Sequence, residues 1–339
     1  MITSDDFQQL QGRHTNLLER RKRLFEKLAF FEEEYDKKTN AEVRFELKNG
    51  IRGIKTELDE VKAEIGTIET RLGECKLQIE KIERTRKREV LHACLLRLNY
   101  EAQENLFKKL LYWSPVGAFL IHGEPGYGQS WLLNRLMRHI PRLTVGGKTI
   151  KVNVQLTGGT PSISGLQEQF SLRGDLKNVH SLQEVIDQFH DWWQTRTVVL
   201  ILHNVNVMDA KFVKEFIEYF WLPLVDKAKN VPSPEPYYKL VAFLIDNRGR
   251  TDVWSSHTTE QVDEASVPRK PVKPPKLTPI LNDELMRWLT GEEHILPLKL
   301  RVEDILRYNQ DGVPETVLED ICNLCGLDWD ESEQLWITY

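Results

Sequence analysis

A glycine-rich segment at residues 123–130 has the residue types and spacing of a site that binds phosphate. It reads Gly-Glu-Pro-Gly-Tyr-Gly-Gln-Ser and lies between an apolar run at 116–122 and a helical pattern. Glycines in a turn between a strand and a helix let backbone N–H groups approach a phosphate, and the helix N-terminus adds positive potential. The spacing of Gly123, Gly126 and Gly128 therefore predicts a loop of the P-loop type.

Two positions of this loop decide whether it could take part in catalysis. The lysine that contacts the β- and γ-phosphates in a P-loop is replaced by Gln129, which can donate a hydrogen bond but carries no charge. Ser130 retains the hydroxyl that a P-loop uses as a ligand of Mg²⁺. Because a neutral amide cannot offset the charge that develops in phosphoryl transfer, we expect a degenerate phosphate loop.

The end of a later strand provides a second test of this site. In a P-loop NTPase that strand ends in acidic residues, which hold Mg²⁺ and polarise water. Here the apolar run 198–202 is followed by His203 and Asn204, and neither is an acid. Since the lysine and the acids are both replaced, the sequence predicts no catalytic residue, no cofactor and no metal site.

Two other groups of strand-end residues invite a functional interpretation. His122 and His203 end strands and would lie near Ser130, which together with Asp246 suggests a hydrolytic triad. No nucleophile elbow accompanies them, so we interpret the histidines as hydrogen-bonded structure. Asn247 and Arg248 follow a strand at the place where active NTPases put a residue that senses the γ-phosphate. We interpret this pair as part of a loop salt bridge.

Strands and helices alternate along the middle of the chain and must position these residues. A helical connector that includes residues 95–111 leads into the first strand. Strands are predicted at 116–122, 149–154, 198–202, 240–245 and 276–280. Continuous apolar strands separated by helices are typical of a parallel sheet that is covered on both faces. We therefore predict an α/β fold with a parallel, P-loop NTPase-like sheet flanked by helices over residues 91–281, and a small helical region over 282–339.

Residues 1–90 have a coiled-coil pattern. Apolar side chains recur at alternating steps of three and four over 51–82, and a less regular series covers 10–35, before the polar stretch 36–40. We predict an antiparallel helical hairpin whose second helix is longer than the first can cover. The surplus seam packs either on the globular part or on another chain. The seam residues that we assign to partner docking are Ile51, Ile54, Leu58, Val61, Ile65, Ile68 and Leu72.

The glycine-rich loop and the acid-free strand end resemble the inactive STAND modules of bacterial conflict systems, which are degenerate relatives of signal-transduction ATPases with numerous domains. The resemblance depends on residues 122–136, where Gly-Gln replaces Gly-Lys and Trp-Leu-Leu follows Ser130, and it extends over 91–339. Residues 37–65 are similar to the helical-hairpin effector-associated domains that precede such modules. The resemblance implies an adaptor whose hairpin pairs with a like domain on a separately encoded effector, while the core senses or scaffolds without hydrolysis.

Two functions of different classes are compatible with these features. The first is a non-catalytic adaptor or scaffold of a bacterial defence or signalling system. The second is a nucleotide-binding switch or weak NTPase, in which the backbone amides of residues 126–130 still hold a phosphate. The expected partner is a protein effector or a like coiled coil, and a homo-oligomer is compatible with the same seam.

The composition limits which classes of partner and which cellular compartment we expect. Lys+Arg total 46 against 51 Asp+Glu, a net charge of −5, which disfavours nucleic acid as a partner. No apolar run approaches the roughly 20 residues that cross a bilayer. Four cysteines and no apolar segment behind Met1 predict a reduced compartment and a cytoplasmic protein. Cys322 and Cys325 lie far from the other two in sequence, so we assign them to core packing and not to zinc.

Overall fold

The computed structural model describes residues 4–156, 162–174, 180–231, 235–263, 267–296, 300–307 and 309–329. The chain divides into two compact units, Met1–Glu89 and Val90–Tyr339. Within the described residues, no helix has the length and apolar character needed to cross a membrane.

The first unit is a pair of long antiparallel helices, α1 (Ser4–Lys37) and α2 (Ala41–Leu95). The last six residues of α2, 90–95, belong to the second unit. Asn40 begins α2, because its side-chain Oδ1 accepts a hydrogen bond from the Glu42 amide at 2.9 Å. With 55 residues, α2 is about 80 Å long at 1.5 Å per residue.

An apolar seam joins α1 to α2. Its buried members are Leu17, Leu24, Leu28, Ile54, Leu58, Val61, Ile65 and Ile68, with Ile51 and Leu72 partly buried against them. Arg13 of α1 forms an ion pair with Glu64 of α2. Arg20, further along α1, pairs with Glu57, which lies earlier on α2, as antiparallel helices require. The seven residues that we assigned to partner docking therefore lie in the seam between the two helices, where five of them are buried and Ile51 and Leu72 remain partly exposed.

The second unit is built on a four-stranded parallel sheet with the order β1-β4-β3-β2. The strands are β1 (Val116–His122), β2 (Lys148–Asn153), β3 (Val198–His203) and β4 (Leu240–Asp246). In the register of β1 and β4, Phe119 lies opposite Phe243. Both of these strands are buried along their whole length. The structure confirms the predicted α/β fold with a parallel sheet.

Helices cover both faces of this sheet. They are α3 (Glu101–Trp113), α4 (Gln129–Met137), α5 (Ile163–Gly174), α6 (Leu182–Thr195), α7 (Ala210–Glu215), α8 (Leu222–Asn230), α9 (Asn282–Glu292), α10 (Val302–Ile305) and α11 (Pro314–Leu324). A π-helical stretch, Phe216–Trp221, connects α7 to α8. Because successive side chains of a strand point to opposite faces, Phe119 packs in the core with α3, α4 and α9, while Leu120 packs in the core with α6, α7 and α8.

The fifth strand that the sequence predicts at 276–280 does not form. The segment just before it, 271–275, which we call the strap, pairs with β1 at Val272. The Val272 amide donates to the Ala118 carbonyl, and the Val272 carbonyl accepts from the Leu120 amide, both at 2.8 Å. Four prolines within 271–279 lack the N–H that a ladder needs. The prediction of a strand was therefore wrong, although the strap does cover the β1 edge.

Shortening a side chain in the seam should destabilise the hairpin selectively. Ile65 is 4% exposed, so Ile65→Ala is expected to lower the free energy of unfolding by about 2–5 kcal/mol. Leu77, also on α2, is 68% exposed, and Leu77→Ala should change it by about 0.5 kcal/mol or less. Urea unfolding followed by far-ultraviolet circular dichroism measures both. Equal losses in the two variants would contradict the seam described here.

Candidate functional site

Three glycines shape the loop between β1 and α4. Gly126 and Gly128 have φ angles of 81° and 77°, in the left-handed region that favours glycine. Gly128 also begins α4, and its carbonyl accepts a hydrogen bond from the Leu132 amide at 2.9 Å. Gly123 is required by space, since a Cβ there would lie 2.8 Å from the Cβ of Leu277. The glycines therefore fix the path of the chain from the strand into the helix.

Gln129, at the position of the P-loop lysine, turns back into the loop. Its side chain is 3% exposed, and its Nε2 donates to the backbone carbonyl of Glu124 at 2.8 Å. Ser130 is exposed, and its carbonyl accepts a hydrogen bond from Nδ2 of Asn134 at 2.8 Å. The amide of Gln129 thus closes the loop on itself instead of extending toward a ligand.

The start of α11 lies against this loop. The Glu315 amide donates to the Gly126 carbonyl at 3.0 Å. A Cβ on Gly126 would lie 3.4 Å from Cγ1 of Val313, and one on Gly128 would lie 3.7 Å from Cβ of Pro314. The missing side chains therefore let the C-terminal helical segment approach the loop backbone closely.

The carboxyl ends of β2, β3 and β4 carry three asparagines that form a chain of amides. Nδ2 of Asn204 donates to Oδ1 of Asn153 at 3.0 Å, and Nδ2 of Asn247 donates to Oδ1 of Asn204 at 2.9 Å. Asn204 has a φ of 60°, a left-handed conformation that asparagine tolerates better than most residues. Asn247 thus joins an amide network and not the loop salt bridge that the sequence suggested.

A histidine and an asparagine, His203 and Asn204, stand at the end of β3, where an active P-loop enzyme places its acidic magnesium ligands. No group of three or more His, Cys, Asp or Glu side chains with the geometry of a metal site occurs among the residues that the structure describes. The four cysteines, Cys75, Cys94, Cys322 and Cys325, are buried free thiols. The amide chain can hold the strand ends together, but it offers no carboxylate to a divalent cation.

The two strand-end histidines have different surroundings. His122 is 5% exposed and its Nε2 lies 2.8 Å from the Pro274 carbonyl, while burial lowers the pKa of the imidazole. Asp246 lies opposite His122 in the register of β1 and β4 and accepts from the Arg248 amide at 2.7 Å, and burial raises the pKa of its carboxyl group. His203 is half-buried, which lowers its pKa. In the described part of the chain no hydrogen bond joins these three side chains into a triad.

Comparison with known proteins shows what this part of the molecule is similar to. Residues 95–245, which carry the loop and the strand end, match the family model described as inactive STAND. We call these residues the module. Among solved structures, the Walker-type ATPase PABY2304 of Pyrococcus abyssi is similar at 15% identity and a TM-score of 0.37, over 70% of this chain and 71% of that chain. No curated protein matches the sequence.

A buried ion pair anchors the loop helix of the module. Arg135 on α4 donates through Nε to Oε2 of Glu104 on α3 at 2.9 Å, and Lys108 and His139 contact the other carboxylate oxygen at 2.6 Å. Burial alone would raise the pKa of Glu104, but the hydrogen bond from Lys108 and the charge of Arg135 outweigh it, and the pKa is lowered. The sequence analysis missed this pair, because no local spacing marks residues that meet only across two helices.

A cavity of about 560 Å³ lies beside the loop of the module and not within it. Its walls come from 97–103, 275–278 and 284–292, and none of residues 123–130 lines it. Two of its cations are neutralised by the protein itself. Arg97 donates to Glu292 through Nε at 2.5 Å, and Lys276 pairs with Glu124. This cavity therefore does not replace the charge that is missing from the phosphate loop.

The stability of the module should fall as the solution becomes mildly acidic. Burial lowers the pKa of His92 to about 4 and also lowers the pKa values of His122, His139 and His203. The unfolded chain then binds more protons than the folded one once the pH drops below about 6.5, so stability decreases from there toward the folded pKa values.

His92→Gln tests this dependence by removing one titrating group. At about pH 5 the variant should lose roughly 1–2 kcal/mol less than the parent, relative to neutral pH, in urea unfolding. His180→Gln changes an exposed histidine and is the matched control for the substitution itself. A parental slope in His92→Gln would contradict the assignment.

Proposed function

We propose that this chain is a non-catalytic adaptor of a bacterial defence or signalling system, in which the hairpin docks a protein effector and the module acts as a scaffold without hydrolysis. The absence of hydrolysis is supported by the side chain of Gln129, which replaces the lysine of an active loop. This side chain is buried and donates to the Glu124 carbonyl at 2.8 Å, so it holds the loop closed and supplies no positive charge.

The missing charges bear directly on the transition state of phosphoryl transfer. Catalysis of this reaction consists of positioning and of electrostatic stabilisation of the transferring group by a lysine and a magnesium ion. At the strand end, Asn204 bonds to Asn153 and Asn247 and offers no carboxylate. Of the residues that hold Mg²⁺ in an active P-loop enzyme, the sequence retains Ser130 and replaces the acids at the end of β3. These features support a loop that has lost hydrolysis.

A nucleotide-binding switch is the second candidate, and the geometry of two glycines favours it. Gly126 and Gly128 keep left-handed conformations, and Ser130 is exposed at the start of α4. Binding without turnover would need only the backbone amides of such a loop. The contact of the Glu315 amide with the Gly126 carbonyl opposes it, because a ligand that alters the loop must displace the start of α11.

The purified protein should release no phosphate from ATP or GTP above a buffer blank. Gln129→Lys alone should also be inactive, because His203 and Asn204 still provide no acid for Mg²⁺. Phosphate release in the presence of Mg²⁺ measures both proteins. Turnover by the parent that disappears in Ser130→Ala would show that the loop is an enzyme. Robust turnover by Gln129→Lys would show that the metal site lies elsewhere.

For the adaptor role, we propose that the partner contacts the tip of the hairpin, residues 30–45, and not its seam. Phe30 and Phe45 are 60% and 66% exposed, and Val43 is 36% exposed, within the last turns of α1 and the first turns of α2. Exposed aromatic side chains are enriched at protein interfaces. Charges of both signs flank them, acidic at 32–34 and basic at 37–38. This mixture suits a partner that is itself a charged helical hairpin, which is the occupant that we propose.

Replacing the two tip phenylalanines should remove the partner without unfolding the hairpin. We expect Phe30→Ala with Phe45→Ala to weaken capture of an effector that carries a helical hairpin by about tenfold or more, because few anchors dominate such interfaces. The capture is measured by pull-down from the native host, with residues 1–90 deleted as the blank. Leu77→Ala, an exposed position on the same hairpin, is the control and should bind as the parent does.

Two results would contradict this docking site. Undiminished capture of the effector by the double variant would place the contact elsewhere on the chain. Self-association of the purified protein that the double variant abolishes, with no effector captured, would show that a second copy occupies the tip.

A further inference from the structure

The break between α2 and α3 has no cause in the local sequence. Residues 74–114 contain neither glycine nor proline, and the pattern over 95–111 predicts an uninterrupted helical connector. Yet α2 ends at Leu95 and α3 begins at Glu101. Sharp breaks in helices normally occur at proline or glycine. Tertiary contacts must therefore impose this one.

Two consecutive residues at the break have left-handed backbones. Asn99 has a φ of 58° and Tyr100 a φ of 62°. The Asn99 side chain accepts a hydrogen bond from the Tyr100 amide at 2.6 Å, while its Nδ2 is buried without a hydrogen-bond partner in the described part of the chain. Non-glycine residues keep such conformations only where their surroundings hold them. This pair, which we call the joint, is strained.

The phosphate loop and its helix hold the joint. The Tyr100 hydroxyl donates to the Tyr127 carbonyl in the loop at 2.5 Å, and its ring packs edge-on against Trp131 of α4 with 5.6 Å between centroids. Nη1 of Arg135, on α4, donates to the backbone carbonyls of two consecutive residues, Leu98 at 3.3 Å and Asn99. The degenerate loop thus contacts the joint at its side chain and at its backbone.

We propose that the joint is a two-state element that couples the loop to α2. In the bent state, seen here, the Tyr127 carbonyl accepts the hydrogen bond from the Tyr100 hydroxyl and so holds the joint. In the straight state, Asn99 and Tyr100 become helical and α2 and α3 form one continuous helix. A change in the loop that turns the Tyr127 carbonyl away releases the joint, and by linkage a straightened joint changes the loop.

Hydrogen bonds distinguish the two states. In the bent state the amides of 101–103 form the first turn of α3 and have no acceptor one turn earlier in the helix. In a continuous helix they would donate to the carbonyls of 97–99. Straightening gains these bonds and relieves two left-handed residues. It loses the contacts with Tyr127 and Arg135 and the burial of Leu96 and Leu98, which are 3% and 0% exposed in the bent state. These losses hold the bent state in the parent chain, and a change that weakens them favours the straight one.

Hydrogen exchange of the amides at 101–103 tests the proposal in the full-length chain. Asn99→Ala with Tyr100→Phe disfavours the left-handed pair and removes the latching hydroxyl while keeping the aromatic ring. We expect exchange at 101–103 to slow by about tenfold or more, as new helical bonds protect these amides. Asn99→Gly is the matched control, because glycine relaxes in the left-handed conformation, and its exchange should be no slower than that of the parent.

Unchanged or faster exchange at 101–103 in the double variant overturns the proposal, since the joint is then a fixed bend or a loosened linker. Unaltered exchange in β1 and β4 shows that the fold is intact. Should the double variant fail to fold, Tyr100→Phe alone is measured, with a smaller slowing expected.

Gly128→Ala tests the coupling from the loop side, because alanine is strained at the φ of 77° found there. Slower exchange at 101–103 is expected again. A change in hydrogen exchange that is confined to the amides of the loop overturns the proposed coupling. None of these outcomes depends on what the hairpin binds.

Discussion

The guanidinium of Arg135 is the constraint on which the second unit depends. A buried cation must have its charge paired and its donors satisfied, since an uncompensated one is strongly destabilising. Arg135 meets this need with the Glu104 carboxylate and with the carbonyls of Leu98 and Asn99. One side chain on the loop helix therefore fixes the position of α3 and the bend that precedes it. The shape of the loop and the end of α2 are consequences of the same polar cluster.

The candidate site shows how a phosphate loop can remain ordered without its charges. In an active loop the lysine and the phosphates satisfy each other, whereas here Gln129 satisfies the Glu124 carbonyl and Asn204 satisfies Asn153 and Asn247. Each replacement exchanges an interaction with a ligand for one within the protein. Buried polar groups need partners whether or not a ligand is present, so such substitutions preserve the fold while removing the chemistry.

The strands were predictable because they are continuous apolar runs, which only a sheet covered on both faces can bury. The helical hairpin was equally clear from its steps of three and four. The hydrophobic pattern along the chain led to wrong predictions where the conformation of a residue depends on its neighbours in space. The run at 276–280 has strand-like residues but lies among prolines, and Asn99 and Tyr100 are acceptable helix residues whose backbone is bent by Arg135 and Tyr127.

The sequence by itself determined the α/β class, the coiled-coil hairpin and the loss of charge at Gln129, His203 and Asn204, because periodicity and residue type are local properties. Only the tertiary structure decided where the glutamine amide points, which seam residues α1 covers, and which polar groups meet around Arg135. These depend on contacts between segments far apart in the chain, whose geometry follows from packing and from the need to pair every buried polar atom.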